Sequence, residues 1–172
     1  MLIRRETAKD LTAVRSLVGA AFGRASAAAE PIEVDLLDSL RASEDWLPAL
    51  SLVAETTAGD VIGHVVCSRA VIDHIAVVGL GPLAVRPDHQ GEGVGSALMH
   101  AVLAAAEALD IPAVVLLGSP DYYRRFGFRS AAELRVQSPD PDWGHYFQVR
   151  PLGARPCPEG AFRYAAPFRE PT

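Results

Sequence analysis

The sequence predicts an α+β fold in which a mixed, mostly antiparallel central sheet is flanked by helices. Two apolar runs on either side of the turn signal Gly59-Asp60 are typical of an antiparallel hairpin. Further along, the apolar segments 80–85 and 113–117 are separated by an apolar helical pattern at residues 97–109. That order predicts a parallel strand–helix–strand crossover, and a hairpin joined to such a crossover makes a mixed sheet.

The N-terminal part predicts one strand and two helices. Residues 1–5 alternate weakly between apolar and polar side chains, as a strand does. Thr7 is a suitable N-cap for a helix that continues to about Phe22 with apolar residues on one face. A second helix is predicted from Pro31 to about Arg41 on the same grounds.

Three strands follow these helices. Residues 51–56 and 61–69 form the two arms of the hairpin, and residues 72–85 are expected to form one long central strand. Gly81-Pro82 lies inside that last strand and predicts a bulge or break, because glycine and proline both disturb a ladder of backbone hydrogen bonds.

The tail from residue 138 mixes prolines with aromatic residues. Prolines alone would favour disorder, but disordered segments are usually poor in aromatic side chains. We therefore expect ordered loops and two strands, at residues 145–150 and 161–164. The whole chain, residues 1–172, is expected to form a single domain.

Composition argues against several function classes. The chain has 49% hydrophobic and 22% charged residues, which are globular values, and a net charge of −5 without a basic stripe. Nucleic acid is therefore not an expected partner. We expect no secretory leader and no membrane span, and hence a cytoplasmic protein without a membrane partner. Two cysteines and five scattered histidines predict neither a disulfide framework nor a metal site.

The glycine-rich turn at residues 90–96 lies between a predicted strand and a predicted helix. Glycines leave backbone N–H groups accessible, since no Cβ stands in the way. The first turn of a helix has N–H groups without internal partners, and the helix macrodipole adds partial positive charge there. Together these features favour a bound phosphate or pyrophosphate.

This turn fits neither of two common phosphate loops. A P-loop needs Gly-Lys-Ser/Thr, and the turn has no lysine. In a G-x-G-x-x-G dinucleotide fingerprint counted from Gly93, the third glycine would fall on Leu98. What remains is Gln-x-x-Gly-x-Gly, and taken alone it leaves open a pyrophosphate site or a ligand-free connection between strand and helix.

A second motif occupies residues 118–128, directly after the apolar run 113–117. Ser119 suits an N-cap and Pro120 suits the first helical position. Gly127 suits the end of that helix. The segment therefore predicts a strand, a short helix, a glycine and another strand.

Together the two motifs resemble the GCN5-related N-acetyltransferase (GNAT) family. The pyrophosphate loop of that family is matched by Gln-x-x-Gly-x-Gly, and its Tyr-x-x-x-Gly-Phe element is matched by Tyr123, Gly127 and Phe128. The Gly-Pro-Leu-Ala-Val lead, the Tyr-Tyr-x-Arg-Phe-Gly-Phe element and the apolar-aromatic tail resemble a YhbS-like bacterial subgroup. The resemblance is strong from about residue 80 to residue 128 and weak before residue 51.

For the cofactor, the resemblance implies acetyl-coenzyme A (acetyl-CoA) and no metal. The pyrophosphate would lie on amides of the glycine turn, and the pantetheine arm would pair like an extra strand with residues 83–85. The bulge at Gly81-Pro82 would separate this strand from its parallel neighbour, residues 113–117, and open the slot. The implied cofactor-binding residues are Leu83, Ala84, Val85, Gln90, Gly91, Gly93, Val94, Gly95, Ser96 and Ser119.

For the chemistry, the resemblance implies acetyl transfer to the primary amine of a small molecule or a peptide, by direct attack in a ternary complex. Tyr123 is the implied general acid for the departing thiolate, and the backbone N–H near Leu83 could bind the developing oxyanion. Residues 76–80 contain no carboxylate, although protein-directed members often carry a glutamate there. Glu30, His74 and an ordered-water relay are the candidates for removing the proton of the amine.

The acceptor side is implied only in outline. Residues 24–37 and 143–147 would line the acceptor pocket, with the strands and loops of residues 138–172 near it. A catalytically silent acyl-CoA-binding sensor is the alternative function, and a nucleotide-binding regulator is a third. The oligomeric state is open between a monomer and a homodimer.

Overall fold

The computed structural model describes residues 1–23 and 30–169, in which helices and strands follow one another in the predicted order. The strands are β1 (Leu2–Arg5), β2 (Trp46–Glu55), β3 (Val61–Ile72), β4 (Ile75–Val85), β5 (Ala113–Leu117), β6 (Arg129–Ser130), β7 (Val136–Gln137), β8 (Phe147–Pro151) and β9 (Gly160–Arg163). The helices are α1 (Leu11–Phe22), α2 (Ile32–Ala42), α3 (Val94–Ala108), α4 (Pro120–Tyr123) and α5 (Ala166–Arg169).

The central sheet has the strand order β1-β2-β3-β4-β5-β8-β6. Neighbouring strands along this path are antiparallel except for the single parallel pair β4–β5. The strand β9 pairs with the end of β3 and also with β7. The mixed, mostly antiparallel sheet predicted from the hairpin and the crossover is therefore confirmed.

Two helical layers cover the sheet. The apolar stripe of α3 packs against one face, because its residues at helical spacing are buried there: Leu98, Met99, Val102, Leu103 and Ala106. On part of the opposite face, α1 and α2 form a cluster with side chains of the strands: Val14, Leu17, Val18, Val34 and Leu37 against Val53, Val66 and Ala84. The aromatic tail extends the core along β8 and β9.

The predicted break in the central strand is a bulge. On the β3–β4 ladder, Val65 pairs with Leu83 and Cys67 pairs with Leu80, so Gly81 and Pro82 together lie opposite one residue of β3. On the other edge, β4 pairs with β5 only at Val78–Val114 and Gly79–Val115. The two parallel strands therefore separate beyond Gly79, and the predicted slot lies between them.

The single strand predicted over residues 72–85 is wrong at its beginning. Ile72 ends β3, and its pairing with Ile75 closes a second hairpin whose turn is Asp73 and His74. Asp73 has a φ of 51°, a left-handed conformation that aspartate tolerates better than most residues. This turn contains no glycine or proline, so the sequence pattern shows no break between β3 and β4. Smaller differences are the earlier starts of β2 at Trp46 and of α3 at Val94.

A buried polar cluster lies beneath α2. The Nε2 atom of His64 is 3.0 Å from a Glu6 carboxylate oxygen and 3.1 Å from Ser51 Oγ, and Arg41 pairs with the same carboxylate. Burial lowers the pKa of His64, which keeps its ring neutral. Since the side chain of His64 is fully buried, this cluster is structural.

Candidate active site

A cleft of about 400 Å³ opens at the end of β4, and we call it the glycine cleft. The glycine turn, the beginning of α3 and the helix α4 enclose it. Its walls are formed by Leu83, Val85, His89, Gln90, Gly91, Gly93, Val94, Gly95, Ser96, Tyr122 and Arg125. Every residue predicted to bind the cofactor lies on these walls except Ala84 and Ser119.

The α3 amides at the cleft are open. Gly93 is the N-cap, no side chain caps the helix, and the first turn contains no acidic residue. The first backbone bond of the helix runs from Ala97 N to Gly93 O. In the described part of the chain, the amides of residues 94–96 donate no hydrogen bond to a protein acceptor. The nearby carboxylate of Glu92 is instead 2.8 Å from His89 Nδ1. The positive end of the helix therefore faces the cleft.

Two glycines of the turn have a backbone that favours glycine. Gly91 and Gly93 have φ angles of 80° and 85°, and a Cβ on either would meet no atom within 4 Å. Gly95 differs, because a Cβ there would lie 2.7 Å from the hydroxyl of Tyr122. The first two are thus needed for the turn and leave space above it, whereas the third makes room for an aromatic side chain.

The outer edge of β4 presents its main chain at Leu83 and Val85. Arg86 N donates to Ile62 O of β3 at 2.9 Å, so the main-chain groups of Ala84 also point to β3, since alternate residues of a strand face the same side. Those of Leu83 and Val85 point the other way, toward the slot beside β5. The side chain of Ala84 therefore lies in the core, and its main-chain groups do not face the slot.

Gln90 closes the turn with its own polar groups. Its amide N donates to Pro87 O at 3.4 Å, and its side-chain Nε2 donates to Val85 O at 3.1 Å. The glutamine of the motif thus has a geometric role in this chain, because its side chain joins the turn to the end of β4. Ser119 likewise acts locally, with its carbonyl accepting from the amides of Tyr122 and Tyr123.

Sequence reasoning missed a cation in the glycine cleft. The guanidinium of Arg125 lies over the ring of Tyr122, 4.6 Å from its centroid, and Arg125 Nε donates to Tyr122 O at 2.9 Å. Arg124, its neighbour, is 73% exposed and lies outside the cleft. Arg86 pairs with Asp88 at 2.7 Å. Only the packing of the short helix shows which arginine faces the cleft.

Tyr123 is half-buried beside the cleft, and its ring occupies space that is free because Gly118 has no side chain. A Cβ on Gly118 would lie 2.3 Å from Cε2 of the tyrosine ring. Burial, together with a smaller contribution from the neighbouring Tyr122, raises the pKa of Tyr123 to about 12. The phenol is therefore protonated at neutral pH and can donate a hydrogen bond.

Gly118 is itself held from both sides by β8 and the turn before it. Its N–H donates to Tyr146 O at 2.9 Å, and its carbonyl accepts from Gln148 Nε2 at 2.8 Å. Gln148 is almost fully buried, so this bond is sheltered from water. The position of Tyr123 thus depends on Gln148 of β8, which lies 25 positions further along the chain.

A second cavity, of about 320 Å³, adjoins the first, and we call it the aromatic cavity. Its walls come from α1, α2, the β4 bulge, β5, α4 and the tail: Phe22, Glu33, Leu36, Leu80, Gly81, Pro82, Leu83, Leu117, Tyr123, Trp143, Tyr164 and Phe168. Leu83 lines both cavities. The two spaces therefore meet at the β4 edge, close to Tyr123.

The sequence-based candidates for a base lie away from this junction. Glu30 is bound to Arg15 at 2.5 Å, and His74 is exposed in the turn at the opposite end of β4 from Leu83. Glu33, on the first turn of α2, is the carboxylate that lines the aromatic cavity. It lies inside the segment 24–37 that was expected to line an acceptor pocket, but residues 24–29 of that segment lie outside the described residues.

Two further features are absent from the described ranges 1–23 and 30–169. No helix there has both the length and the apolar character required to cross a bilayer. No group of three or more His, Cys, Asp or Glu side chains is arranged there to hold a metal ion.

The chain is similar to known acetyltransferases over most of its length. Residues 48–130 match the acetyltransferase (GNAT) domain family. Over 154 residues, the chain is 34% identical to the uncharacterized N-acetyltransferase YhbS of Escherichia coli strain K12. This alignment covers 88% of this chain and 87% of YhbS.

Solved structures give the same result. The crystal structure of YhbS from Escherichia coli in complex with CoA matches with a TM-score of 0.88 at 29% identity, over 98% of this chain and 92% of that one. A GNAT family acetyltransferase from Brucella melitensis in complex with acetyl-CoA matches with a TM-score of 0.79 at 36% identity, over 97% of both chains. The chain therefore belongs to the GNAT family of acetyl-CoA-dependent N-acetyltransferases.

Proposed function

We propose that this protein transfers the acetyl group of acetyl-CoA to the primary amine of a small molecule or a peptide, by direct attack in a ternary complex. The observation that carries the proposal is the junction at Leu83, where a cleft with open amides meets a cavity that contains a protonated tyrosine. Donor and acceptor can then be bound at the same time, one on each side of the β4 edge.

The glycine cleft fits the donor. A pyrophosphate seated on the amides of residues 94–96 would meet the positive end of α3, with Arg125 as a nearby cation. The amide-rich pantetheine arm would pair with the main-chain groups of Leu83 and with the N–H of Val85, whose carbonyl already accepts from Gln90 Nε2. The CoA complex of YhbS and the acetyl-CoA complex of the Brucella melitensis relative support this assignment.

At the junction, the amine nitrogen attacks the carbonyl carbon of the thioester. The C–N bond forms, the carbonyl oxygen takes up negative charge, and the C–S bond then breaks. The Leu83 N–H would stabilise the oxyanion, and one such donor is typically worth about 3 kcal/mol. Tyr123 would give its proton to the departing sulfur. The attacking nitrogen would lose a proton as the amide forms, and water would pass that proton back to the tyrosine oxygen. The burial that raises the pKa of Tyr123 would act in the same direction on a thiol beside it.

An attacking amine must first lose a proton, since an alkylammonium has a pKa of about 10.4. Glu33 is the carboxylate on the acceptor side of the junction. We propose that it orients the ammonium group and that water carries the proton away. The tail from residue 138 contributes Trp143, Tyr164 and Phe168 to the same cavity, and we therefore propose that residues 1–172 act as one domain.

The test is release of free thiol from acetyl-CoA with a panel of primary amines. We expect Tyr123→Phe to lower kcat by about 100- to 10,000-fold while the Kd for CoA stays the same, because general acid catalysis typically contributes that much. Tyr146→Phe is the matched control, since the Tyr146 side chain is 50% exposed and lies outside both cavities.

One observation supports a second function, that of an acyl-CoA sensor without catalytic activity. Residues 76–80 of β4 carry no carboxylate, so a base on that strand is absent. Tight binding of CoA without thiol release on any amine would identify a catalytically silent acyl-CoA sensor. Failure to bind CoA at all would overturn both functions.

A further inference from the structure

We infer that the acceptor is a small primary monoamine with an apolar, ring-sized body. Its ammonium group is held by Glu33, and its length is limited by Tyr164. The inference rests on the proposed acetyltransferase function, and it names the substrate class of the aromatic cavity.

The charge of the cavity favours a cation. Among the described residues on its walls, Glu33 is the single carboxylate, and there is no lysine, arginine or histidine. An ammonium group would gain a charged partner there. A carboxylate on the acceptor would lose its hydration without gaining a cation, which is strongly unfavourable. Amino acids with a free carboxylate are therefore poor acceptors.

Glu33 differs from the acidic residues around it. Glu30 and Asp38 both pair with Arg15 on the outside of the α1–α2 layer. Glu33 has no ion pair within the described residues, and it is half-buried at the cavity wall. Its position leaves the carboxylate available to a ligand.

The remaining walls fit an apolar body. Aromatic rings line the cavity, and several of them contact one another. Tyr164 stacks on Phe168 with ring centroids 4.6 Å apart, and Trp143 meets Tyr164 at 6.2 Å in an edge-on arrangement. Such walls bind aliphatic or aromatic groups and also attract an ammonium group through cation–π contacts. A second charge on the acceptor, as in a polyamine, would find no further carboxylate on these walls.

Tyr164 ends the cavity because of a glycine in β4. A Cβ on Gly79 would lie 2.8 Å from Cε1 of the Tyr164 ring, so the ring lies directly on the backbone there. On the far side of Tyr164 is a separate space of about 610 Å³, whose walls include Val77 and Val78 and also the charged residues Asp45, Arg69 and Arg163. Tyr164 lines both spaces and is 9% exposed. It therefore acts as a partition between them.

The volume agrees with a small acceptor. About 320 Å³ lies at the low end of the range for ligand pockets, which is roughly 300–1,000 Å³. A phenyl ring with a two-carbon amine arm fits such a space. A ten-carbon chain would need the volume behind Tyr164.

The first test compares 2-phenylethylamine with phenylalanine, which differs from it by one carboxylate. We expect kcat/KM to be at least about tenfold higher for 2-phenylethylamine, since burying the unpaired carboxylate of phenylalanine lowers its affinity by more than about tenfold. Glu33→Gln should raise the KM for 2-phenylethylamine by about tenfold. Asp35→Asn is the matched control, because Asp35 is exposed on the same turn of α2 and lies outside the cavity.

The second test concerns length. We expect Tyr164→Ala to raise the kcat/KM ratio of n-decylamine to 2-phenylethylamine by at least about tenfold, because the two spaces become one. Tyr164→Phe keeps the ring and should leave this ratio unchanged. Thermal unfolding of each variant shows whether the fold is retained, and the Phe variant keeps the test valid should the Ala variant fail to fold.

Binding is measured separately from turnover, so that the two proposals can fail independently. Titration calorimetry of 2-phenylethylamine into the CoA complex should show binding that Glu33→Gln weakens. Binding without thiol release would overturn the acetyltransferase function and keep the ligand class. Turnover that prefers phenylalanine, spermidine or a peptide N-terminus, or that is indifferent to Glu33→Gln and to Tyr164→Ala, would overturn the inference and keep the function.

Discussion

The glycine cleft and the aromatic cavity meet at Leu83, yet they are built in different ways. The cleft takes most of its walls from one continuous stretch, residues 83–96, and offers mainly backbone groups. The cavity takes its walls from side chains of segments that are far apart in the sequence, from Phe22 to Phe168. A site made of local backbone can be recognised from its turn residues, whereas a site made of distant side chains becomes visible only after folding.

This contrast predicts that donor binding depends on backbone geometry and open space. Gly93→Glu should produce the largest effect, a loss of CoA affinity of roughly 100-fold, which corresponds to about 2.7 kcal/mol. The new side chain would place a negative charge at the proposed phosphate site, in space that is empty above Gly93. Calorimetric titration with CoA measures the loss.

The hairpin turn provides the control for that experiment. Gly59 has a φ of 92° against 85° for Gly93, and a Cβ on either would meet nothing within 4 Å. Gly59→Glu therefore carries a similar backbone strain outside the walls of the cleft. Equal losses of CoA affinity in the two variants would show that strain, and not the phosphate site, explains the result.

The junction between the two regions should depend on packing behind Tyr123. Gly118→Ala would push the ring of Tyr123, since the added Cβ would lie 2.3 Å from a ring atom. We expect kcat to fall by about 10- to 100-fold with little change in the Kd for CoA, because a displacement of about 1 Å of a catalytic group has that effect.

Steady-state kinetics and CoA titration measure both quantities for this variant. Gly19→Ala is a suitable control, because a Cβ there would make an ordinary contact at 3.9 Å with Val34. A normal kcat for Gly118→Ala would show that the position of Tyr123 does not matter for the reaction.

Arg125 should show a smaller and salt-dependent effect on the donor side. Arg125→Ala is expected to weaken CoA binding about threefold at low salt, as exposed charge pairs are worth roughly 0.2–1 kcal/mol. Arg124→Ala is the matched control, because Arg124 is its neighbour but lies outside the cleft. Identical effects of the two substitutions would mean that only net charge matters.

The pH profile of the rate distinguishes the acid from the amine. The rate should rise with pH between 7 and 10, because a growing fraction of the amine loses its proton. Tyr123 should add no falling limb in that range, since its pKa is about 12 and it stays protonated. A falling limb near pH 9 that disappears in Tyr123→Phe would contradict this assignment.

Sequence reasoning recovered the crossover, the bulge at Gly81-Pro82 and the glycine turn, because each has a local signal of glycine, proline or apolar periodicity. It missed the turn at Asp73 and His74, where no such signal exists. It also proposed Glu30 as a base although Arg15 binds that carboxylate. That ion pair joins α1 to a residue just before α2 and has no counterpart in the local pattern.

The sequence by itself determined the main-chain features of this protein: the strand–turn–helix unit that opens the α3 amides and the short helix that bears Tyr123. These features depend on backbone preferences and capping over a few residues, which act at short range. Only the tertiary structure decided that Glu33 lines the cavity, that Arg125 instead of Arg124 faces the cleft, and that Tyr164 lies on Gly79. Those placements depend on the packing of residues distant in sequence, and no local propensity encodes which of several similar side chains the packing selects.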